Sequence, residues 1–434
     1  MHRSGLPSRT YERKLTFNKS MMRSKFFLVS LIILVLLAGA AGVLWYFKVF
    51  PEQKASGGHQ KKNGGVTTLP NPPAASGPQG EGSRLTVSGS TLLDSDGQEV
   101  QLRGFNWGGF NPGMVTENDP ADIAKMGATV VRIPLRWRFA DDSKQDQLQT
   151  TAPGHVNPAG LALLDKQIAW AASQKLWVVL FIGSDPDWKN QSMLDEYPEV
   201  WKFLAEHYKD TSSIAGYEIL SEPHPHELGS SQLVKDFYQK NIAAIRSIDA
   251  KTPIIIGPAA ATDCTNGPYD VRCLENIYLP NTPNLIYTFN FYEPAAYVKG
   301  KDGEKSEDGD GTYSPYPGTF TDRKTNTQYY LDRTWINNLL QNAARFKEAH
   351  NVPLFVNQIG VPTLAPGSDQ YTRDAIGILN SMDIGYTWWK YRDEAVKHSK
   401  YEGGRGVVWD DKSGQEHVKQ ALVQLFTELF KQGK

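Results

Sequence analysis

The sequence has little cysteine and no excess of charge of either sign. Its 434 residues include two cysteines, which excludes a disulfide-rich scaffold and a zinc site built only from cysteine. Lysine and arginine number 46 against 47 aspartates and glutamates, so no basic field is available for nucleic acid. No two histidines have metal-ligand spacing, and we expect neither a metal nor another cofactor. Apolar residues make up 40% of the chain, which is enough for a large core.

The longest uncharged run lies near the N-terminus, at residues 26–47. Its length is sufficient for one transmembrane helix. Residues 1–25 form a basic tail with seven lysines or arginines and one acid, Glu12. The positive-inside rule therefore predicts a single-pass membrane protein with a cytoplasmic N-terminus and an extracytoplasmic remainder. A signal peptide cleaved after 38–40 (AGA) is the alternative.

Residues 48–84 are predicted to be a flexible linker. They are rich in glycine and proline, with mostly small or polar residues between them. Such a composition cannot bury enough apolar surface to fold. Residues 85–434 contain no second linker and no long repeat, so we expect one folded domain.

Short apolar runs alternate with helical patterns through this domain. Helices are predicted at 119–126, 160–173, 196–208, 231–248, 335–350, 371–382 and 416–430, and strands at 100–105, 129–133, 177–182, 214–220, 253–256, 285–292, 353–356 and 385–389. Eight strands with intervening helices predict an α/β fold of the (β/α)8 TIM-barrel type. An open doubly wound sheet is the alternative, but no glycine-rich phosphate loop follows the first strand.

In such a barrel the chemistry lies at the carboxyl ends of the strands. Residues just past or near the end of the predicted strands are mainly amides, acids, arginines and aromatics: Asn106, Trp107, Arg132, Trp137, Asp185, Asp187, Trp188, Glu222, Asn290, Tyr292, Glu293, Gln358 and Trp389. Aromatic rings with hydrogen-bonding neighbours suit a sugar. Hydrolysis of a glycosidic bond normally requires two carboxyl groups.

Six motifs together carry a family resemblance: 103–107 (RGFNW), 131–134 (VRIP), 216–223 (GYEILSEP), 290–294 (NFYEP), 353–360 (PLFVNQIG) and 385–389 (GYTWW). In this order they resemble glycoside hydrolase family 5, the cellulase-like retaining β-glycanases with catalytic glutamates after strands four and seven. The resemblance implies a β-linked polysaccharide or oligosaccharide substrate.

The resemblance also implies roles for individual residues. Glu222 matches the acid/base glutamate, and Arg132 matches the arginine that steadies the nucleophile. Tyr292 matches the tyrosine of a His-x-Tyr motif, and Trp389 matches the tryptophan beneath the cleaved sugar. Asn106 is a further candidate for substrate binding.

Three residues depart from the family pattern. Ser221 replaces the asparagine before the acid/base, Asn290 replaces the histidine of His-x-Tyr, and Gln358 replaces the nucleophilic glutamate. An amide is uncharged and a poor nucleophile.

Two readings of the Gln358 departure stay open. In the first, the protein is a glycosidase with a non-standard site, in which Gln358 positions a water or orients a 2-acetamido group and Glu222 is the general acid; Asp185, Asp187 or Glu293 is an alternative base. In the second, it is a pseudo-glycosidase that binds polysaccharide without cutting it. An equally good interpretation is that Gln358 is a plain buried amide whose hydrogen bonds are made with Arg132 and Tyr292.

Two features lie outside this site. Cys264 and Cys273 stand nine apart in a loop rich in glycine, proline and asparagine, which predicts a disulfide outside the cytoplasm, with two free thiols as the alternative. The polar segment 295–333 contains Tyr297, Tyr313, Tyr316 and Phe320. It follows the sixth predicted strand and is expected to shape the substrate cleft.

Overall fold

The computed structural model describes residues 84–108, 115–135, 158–183, 186–226, 228–264, 267, 270–300, 312–322, 325–393, 404–411 and 413–432. Eight parallel strands form the barrel, and their numbers count all strands in chain order: β3 (Arg103–Asn106), β4 (Val130–Leu135), β5 (Trp177–Ile182), β6 (Ile214–Glu218), β7 (Ile254–Ile256), β8 (Leu285–Phe291), β11 (Leu354–Ile359) and β12 (Gly385–Trp388). Each pairs with the next in this order, and β12 pairs with β3 to close the barrel.

The barrel strands are apolar along most of their length because both of their faces are covered. Every residue of these eight strands is buried. Close strand approach also requires a small residue: a Cβ at Gly104 would lie 1.8 Å from the carbonyl oxygen of Val130 on the neighbouring strand. The barrel is therefore a packed core, and its chemistry is confined to the ends of the strands.

Amphipathic helices surround the barrel and bury their apolar faces against it. The helices of the described residues are α1 (Asp119–Lys125), α2 (Pro158–Ser173), α3 (Gln191–Tyr208), α4 (Ser231–Arg246), α5 (Leu274–Ile277), α6 (Ala295–Val298), α7 (Arg333–His350), α8 (Ser368–Ser381) and α9 (Gln420–Lys431). Side-chain caps begin several of them, as at α7, where Asp332 accepts a hydrogen bond from the Trp335 backbone N–H at 2.9 Å.

A hairpin of β1 (Thr86–Ser88) and β2 (Thr91–Leu93) precedes the barrel. Leu85 and Leu92 join a buried cluster with Trp177 and Phe355, which belong to the amino-terminal halves of barrel strands. The hairpin therefore covers the amino-terminal end of the barrel and leaves the carboxyl end for the site.

A long connection follows β8 and carries α6 and the hairpin β9 (Gly318–Thr321) with β10 (Gln328–Leu331). Tyr297, Tyr316 and Phe320 are buried in an aromatic cluster with Tyr371 of α8. The Tyr316 hydroxyl donates to Asp374 at 2.7 Å. These three aromatic side chains anchor the connection, whereas Tyr313 is only partly buried.

The eight predicted strands are present, with ends that shift by up to three residues. The helix predicted for 416–430 was wrong at its start, because Glu416–Val418 is β14, which pairs with β13 (Val408–Asp410). Short hairpins of this kind bury little apolar surface and leave little periodic signal.

The predicted basic tail, transmembrane run 26–47 and linker 48–84 fall almost wholly outside the described residues, which begin at Arg84. From Arg84 onward, the described helices include none that is long and apolar enough to cross a bilayer.

Candidate functional site

The carboxyl ends of β4, β6, β8, β11 and β12 bring the predicted site residues together. A buried ion pair forms the base of this region. Arg132 on β4 donates from Nε and Nη2 to the two carboxylate oxygens of Glu218 on β6, both at 2.7 Å. Both side chains are essentially inaccessible to solvent. The Arg132 guanidinium also lies 3.4 Å from the centre of the Phe181 ring, so its charge is held by an acid and an aromatic face.

The remaining hydrogen bonds of Arg132 go to residues on either side of this pair. Its Nη1 donates to Asn106 Oδ1 at 2.7 Å, and its Nη2 donates to Ser221 Oγ at 2.8 Å. Asn106 in turn donates to the carbonyl oxygen of Asn357 at 2.9 Å. Asn106 and Arg132 are fully buried, so both support the site from within the barrel.

Glu222 lies in the loop that follows β6. Its backbone φ is 55°, in the left-handed region that costs a non-glycine residue free energy and that recurs at functional sites. The side chain is partly exposed, and Asn290 at the end of β8 donates its Nδ2 hydrogen to Glu222 Oε1. A donor to a carboxylate favours the ionised form. The turn therefore holds one carboxylate of known orientation at the barrel mouth.

Gln358 on β11 is buried, and both ends of its amide are engaged. Tyr292 donates its hydroxyl hydrogen to Gln358 Oε1 at 3.0 Å, and Gln358 Nε2 lies 3.4 Å from Ser221 Oγ. Gln358 and Asn290 are register partners on adjacent strands. For a plain buried Gln358 the sequence predicts Arg132 and Tyr292 as partners, and the structure gives Tyr292 and Ser221.

Trp389 follows β12 and is partly buried against the core. The Lys390 ammonium lies 5.8 Å from the centre of the Trp389 ring and pairs with Asp393 at 2.9 Å. The Arg405 guanidinium lies 5.4 Å from the centre of the Tyr292 ring. The site thus has an aromatic surface at Trp389 and cations beside its two aromatic rings.

Other predicted candidates have different surroundings. Trp107 and Trp188 are core residues, and exposed Asp187 accepts the Lys189 backbone N–H at 3.0 Å in a turn. The Cys264 and Cys273 sulfurs are bonded, with their Cα atoms 6.0 Å apart. Asp185 and Trp137 lie outside the described residues. Among the residues that are described, no three histidine, cysteine or acidic side chains form a group able to hold a metal.

Two functional neighbours were missed in the sequence analysis, Glu218 and Asn357. Asn357 donates its Nδ2 hydrogen to Glu218 Oε1 at 2.9 Å, which completes the ion pair's hydrogen bonds. The signal was present: each is a polar residue in a mostly apolar strand, where an unpaired polar group is costly.

The comparisons with known proteins agree with this geometry. The sequence model of Cellulase (glycosyl hydrolase family 5) matches residues 93–395, about seven-tenths of the chain, and the chain belongs to this family. A Beta-xylosidase of Phanerodontia chrysosporium is 26% identical over 38% of this chain and 44% of its own length. Endoglucanase H of Acetivibrio thermocellus is 25% identical over 41% of this chain and 18% of its own length.

Solved structures share the fold at lower identity. Endoglucanase Cel5A of Thermotoga maritima superposes with a TM-score of 0.57 at 19% identity, covering 75% of this chain and 96% of that one. Cellulose synthase subunit Z of Clostridioides difficile gives 0.56 at 18% identity, covering 75% and 99%. The predicted TIM barrel and family are thereby confirmed. The matched part covers less than half the length of the two curated relatives named above.

Proposed function

We propose that this family 5 barrel recognises a β-linked glucan chain at the carboxyl ends of its strands, with Glu222 facing the glycosidic oxygen and Trp389 beneath a sugar ring. Support comes from the endoglucanase relatives and from the convergence of Glu222, Asn290, Tyr292 and Trp389 on one end of the barrel. Amide, hydroxyl and carboxylate groups beside an aromatic surface suit the polar edge and apolar face of a pyranose.

We further propose that the glucan is bound without formation of a covalent glycosyl-enzyme intermediate, because residue 358 is a glutamine. A retaining glycosidase needs a second carboxylate as nucleophile. Gln358 is neutral, and its oxygen already accepts the hydroxyl hydrogen of Tyr292. The nearby Glu218 cannot substitute for it, because Arg132 holds both of its oxygens in the barrel interior.

A second candidate function is hydrolysis assisted by the substrate's own 2-acetamido group. The observation that favours it is the hydrogen bond from Asn290 to Glu222, which orients a carboxyl group for acid/base chemistry. In this case an amino-sugar polymer would be cut, whereas a plain β-glucan would only bind. Substrate-assisted glycosidases lack an enzyme nucleophile in the same way.

Product release from β-glucans, mannans and amino-sugar polymers tests these proposals. We expect no detectable product from the wild-type protein on β-glucan. Gln358→Glu should release product, because it restores a transition-state group whose loss costs at least about 10³-fold in rate. The double variant Gln358→Glu/Glu222→Gln should again be inactive. Wild-type turnover of β-glucan would contradict the binding proposal, and turnover confined to amino-sugar polymers would favour the second candidate.

Calorimetric titration with cello-oligosaccharides tests recognition itself. We expect Trp389→Ala to weaken binding at least about tenfold, since stacking on an aromatic ring is worth one or more kcal/mol. Trp170→Ala is the matched control, because Trp170 is also partly buried but belongs to helix α2. No binding of any glycan by the wild type would overturn the proposal.

We further propose that residues 26–47 anchor the barrel outside the cytoplasm, so that it meets its glycan near the cell surface. The support is the uncharged run and the basic residues before it. The full chain should remain in membranes after alkaline carbonate extraction, and removal of residues 1–50 should release it. Release of the full chain by carbonate, or a mature N-terminus near residue 41, would favour the cleaved signal peptide.

A further inference from the structure

Two asparagine side chains at the site have fixed orientations. Asn290 donates its Nδ2 hydrogen to Glu222, and Asn357 donates its Nδ2 hydrogen to Glu218. A carboxylate only accepts hydrogen bonds when ionised, so each amide must turn its nitrogen toward its acid. Each amide oxygen then points away from the acid. Neither Oδ1 atom has a hydrogen-bond partner among the described residues, although both asparagines are at least nine-tenths buried.

Both asparagines line the same small void. It has a volume of about 10 Å³, and its walls also include Glu218, Glu222, Gly257 and Thr288. This volume is at the lower limit for one water molecule. Two buried acceptors without a donor are costly in a protein interior, and one ligand with two donor hydrogens in this void would satisfy both.

We propose that this void is a binding site for one ordered water molecule, which donates one hydrogen to Asn290 Oδ1 and the other to Asn357 Oδ1. Water fits because the walls offer acceptors and because the volume is close to that of one water molecule. The water links the interior pair Arg132–Glu218, through Asn357, to the site carboxylate Glu222, through Asn290. Asn357 is then a positioning residue for Glu222, although it contacts no sugar.

The water has a consequence for Glu222. It gives Asn290 Oδ1 a partner and so fixes the amide whose Nδ2 donates to Glu222, and this donor stabilises the ionised carboxylate. Loss of the water would leave Asn290 Oδ1 unpaired and would weaken the hold of the amide on Glu222. The ionised form of Glu222 would then require a higher pH. This part of the inference rests on the proposed function, since it is observed through glycan binding.

A crystal structure of the full-length protein at a resolution that orders internal waters tests the site without any sugar. We expect one density peak about 2.7–3.1 Å from both Oδ1 atoms. An empty void, or amide nitrogens turned into it, would overturn the proposal. Contacts of about 2.4 Å to several oxygens would identify a metal cation and would also overturn it.

The pH dependence of cello-oligosaccharide binding tests the link to Glu222. Asn357→Ala should move the acid limb of the binding profile upward by about one pH unit. Asn241→Ala is the control, because Asn241 is a buried asparagine of helix α4 whose Oδ1 also lacks a partner. Asn241→Ala should lower the thermal stability and leave the pH dependence of binding unchanged. An unmoved profile in Asn357→Ala would overturn the positioning role even where the water is seen, and absence of all glycan binding would instead count against the proposed function.

Discussion

Glu218 is the partner of Arg132, and the sequence did not predict this pairing. The sequence places it in an apolar strand four residues before Glu222, and nothing in the spacing says which acid Arg132 contacts. The family resemblance implies that Arg132 contacts the nucleophile position, residue 358. That residue is a glutamine in this protein. In the structure both carboxylate oxygens of Glu218 accept from Arg132. Side-chain pairing across a barrel depends on register, which a single sequence does not specify.

The buried ion pair gives a stability prediction. Glu218→Gln should lower the free energy of unfolding by about 3–5 kcal/mol, because it leaves the Arg132 charge buried without its partner. Urea unfolding followed by circular dichroism measures the change.

Glu199→Gln is the control for this prediction. Glu199 pairs with Lys202 at 2.8 Å, but both side chains are more than two-fifths exposed, so we expect a change below about 1 kcal/mol. A Glu218→Gln protein as stable as the control would mean that Arg132 finds another partner in the barrel.

At the scale of elements, the eight barrel strands could be predicted because each is an apolar run of the length that a parallel strand needs. The residues predicted at their carboxyl ends include pairs that the structure brings together, Asn290 with Glu222 and Tyr292 with Gln358, whereas Trp107 and Trp188 belong to the core. The hairpins β1–β2, β9–β10 and β13–β14 could not be predicted, since they are three or four residues long per strand. Tyr316 shows the same limit: a tyrosine in a polar segment gives no sign that it will bury against α8 and donate to Asp374.

The Cys264–Cys273 bridge closes the loop that precedes α5, and its sequence separation is nine residues. Replacing both cysteines with serine should reduce the free energy of unfolding by about 2–3 kcal/mol, because the unfolded loop gains conformational freedom. Chemical denaturation with and without reductant measures it. Reductant should destabilise the wild type and leave the double variant unchanged, and equal responses would show that the thiols are free in solution.

At the scale of the whole molecule, buried tyrosines occur in barrel strands, in helices around the barrel and in connecting segments. Burial is the leading cause that raises the pKa of a tyrosine hydroxyl at Tyr208, Tyr217, Tyr287, Tyr297, Tyr316, Tyr371, Tyr386 and Tyr391. For Tyr287 the pKa rises to about 12. An unfolded tyrosine has a pKa of about 10, so above that pH the folded chain retains protons that the unfolded chain has released.

This difference fixes the sign of the alkaline response. Stability that depends on neutral tyrosines is fully present below pH 10 and falls as the pH rises toward the folded-state pKa, by about 1.4 kcal/mol per pH unit for each such tyrosine. Urea unfolding between pH 8 and 11.5, with tyrosinate absorbance recorded in parallel, should show a steep loss above pH 10 and tyrosinate appearing together with unfolding. Tyr287→Phe should reduce the slope by about one proton, because it removes one buried hydroxyl that titrates only after unfolding. Tyrosinate signal that rises fully before the barrel unfolds would contradict the prediction, since it would mean that the hydroxyls ionise in the folded protein.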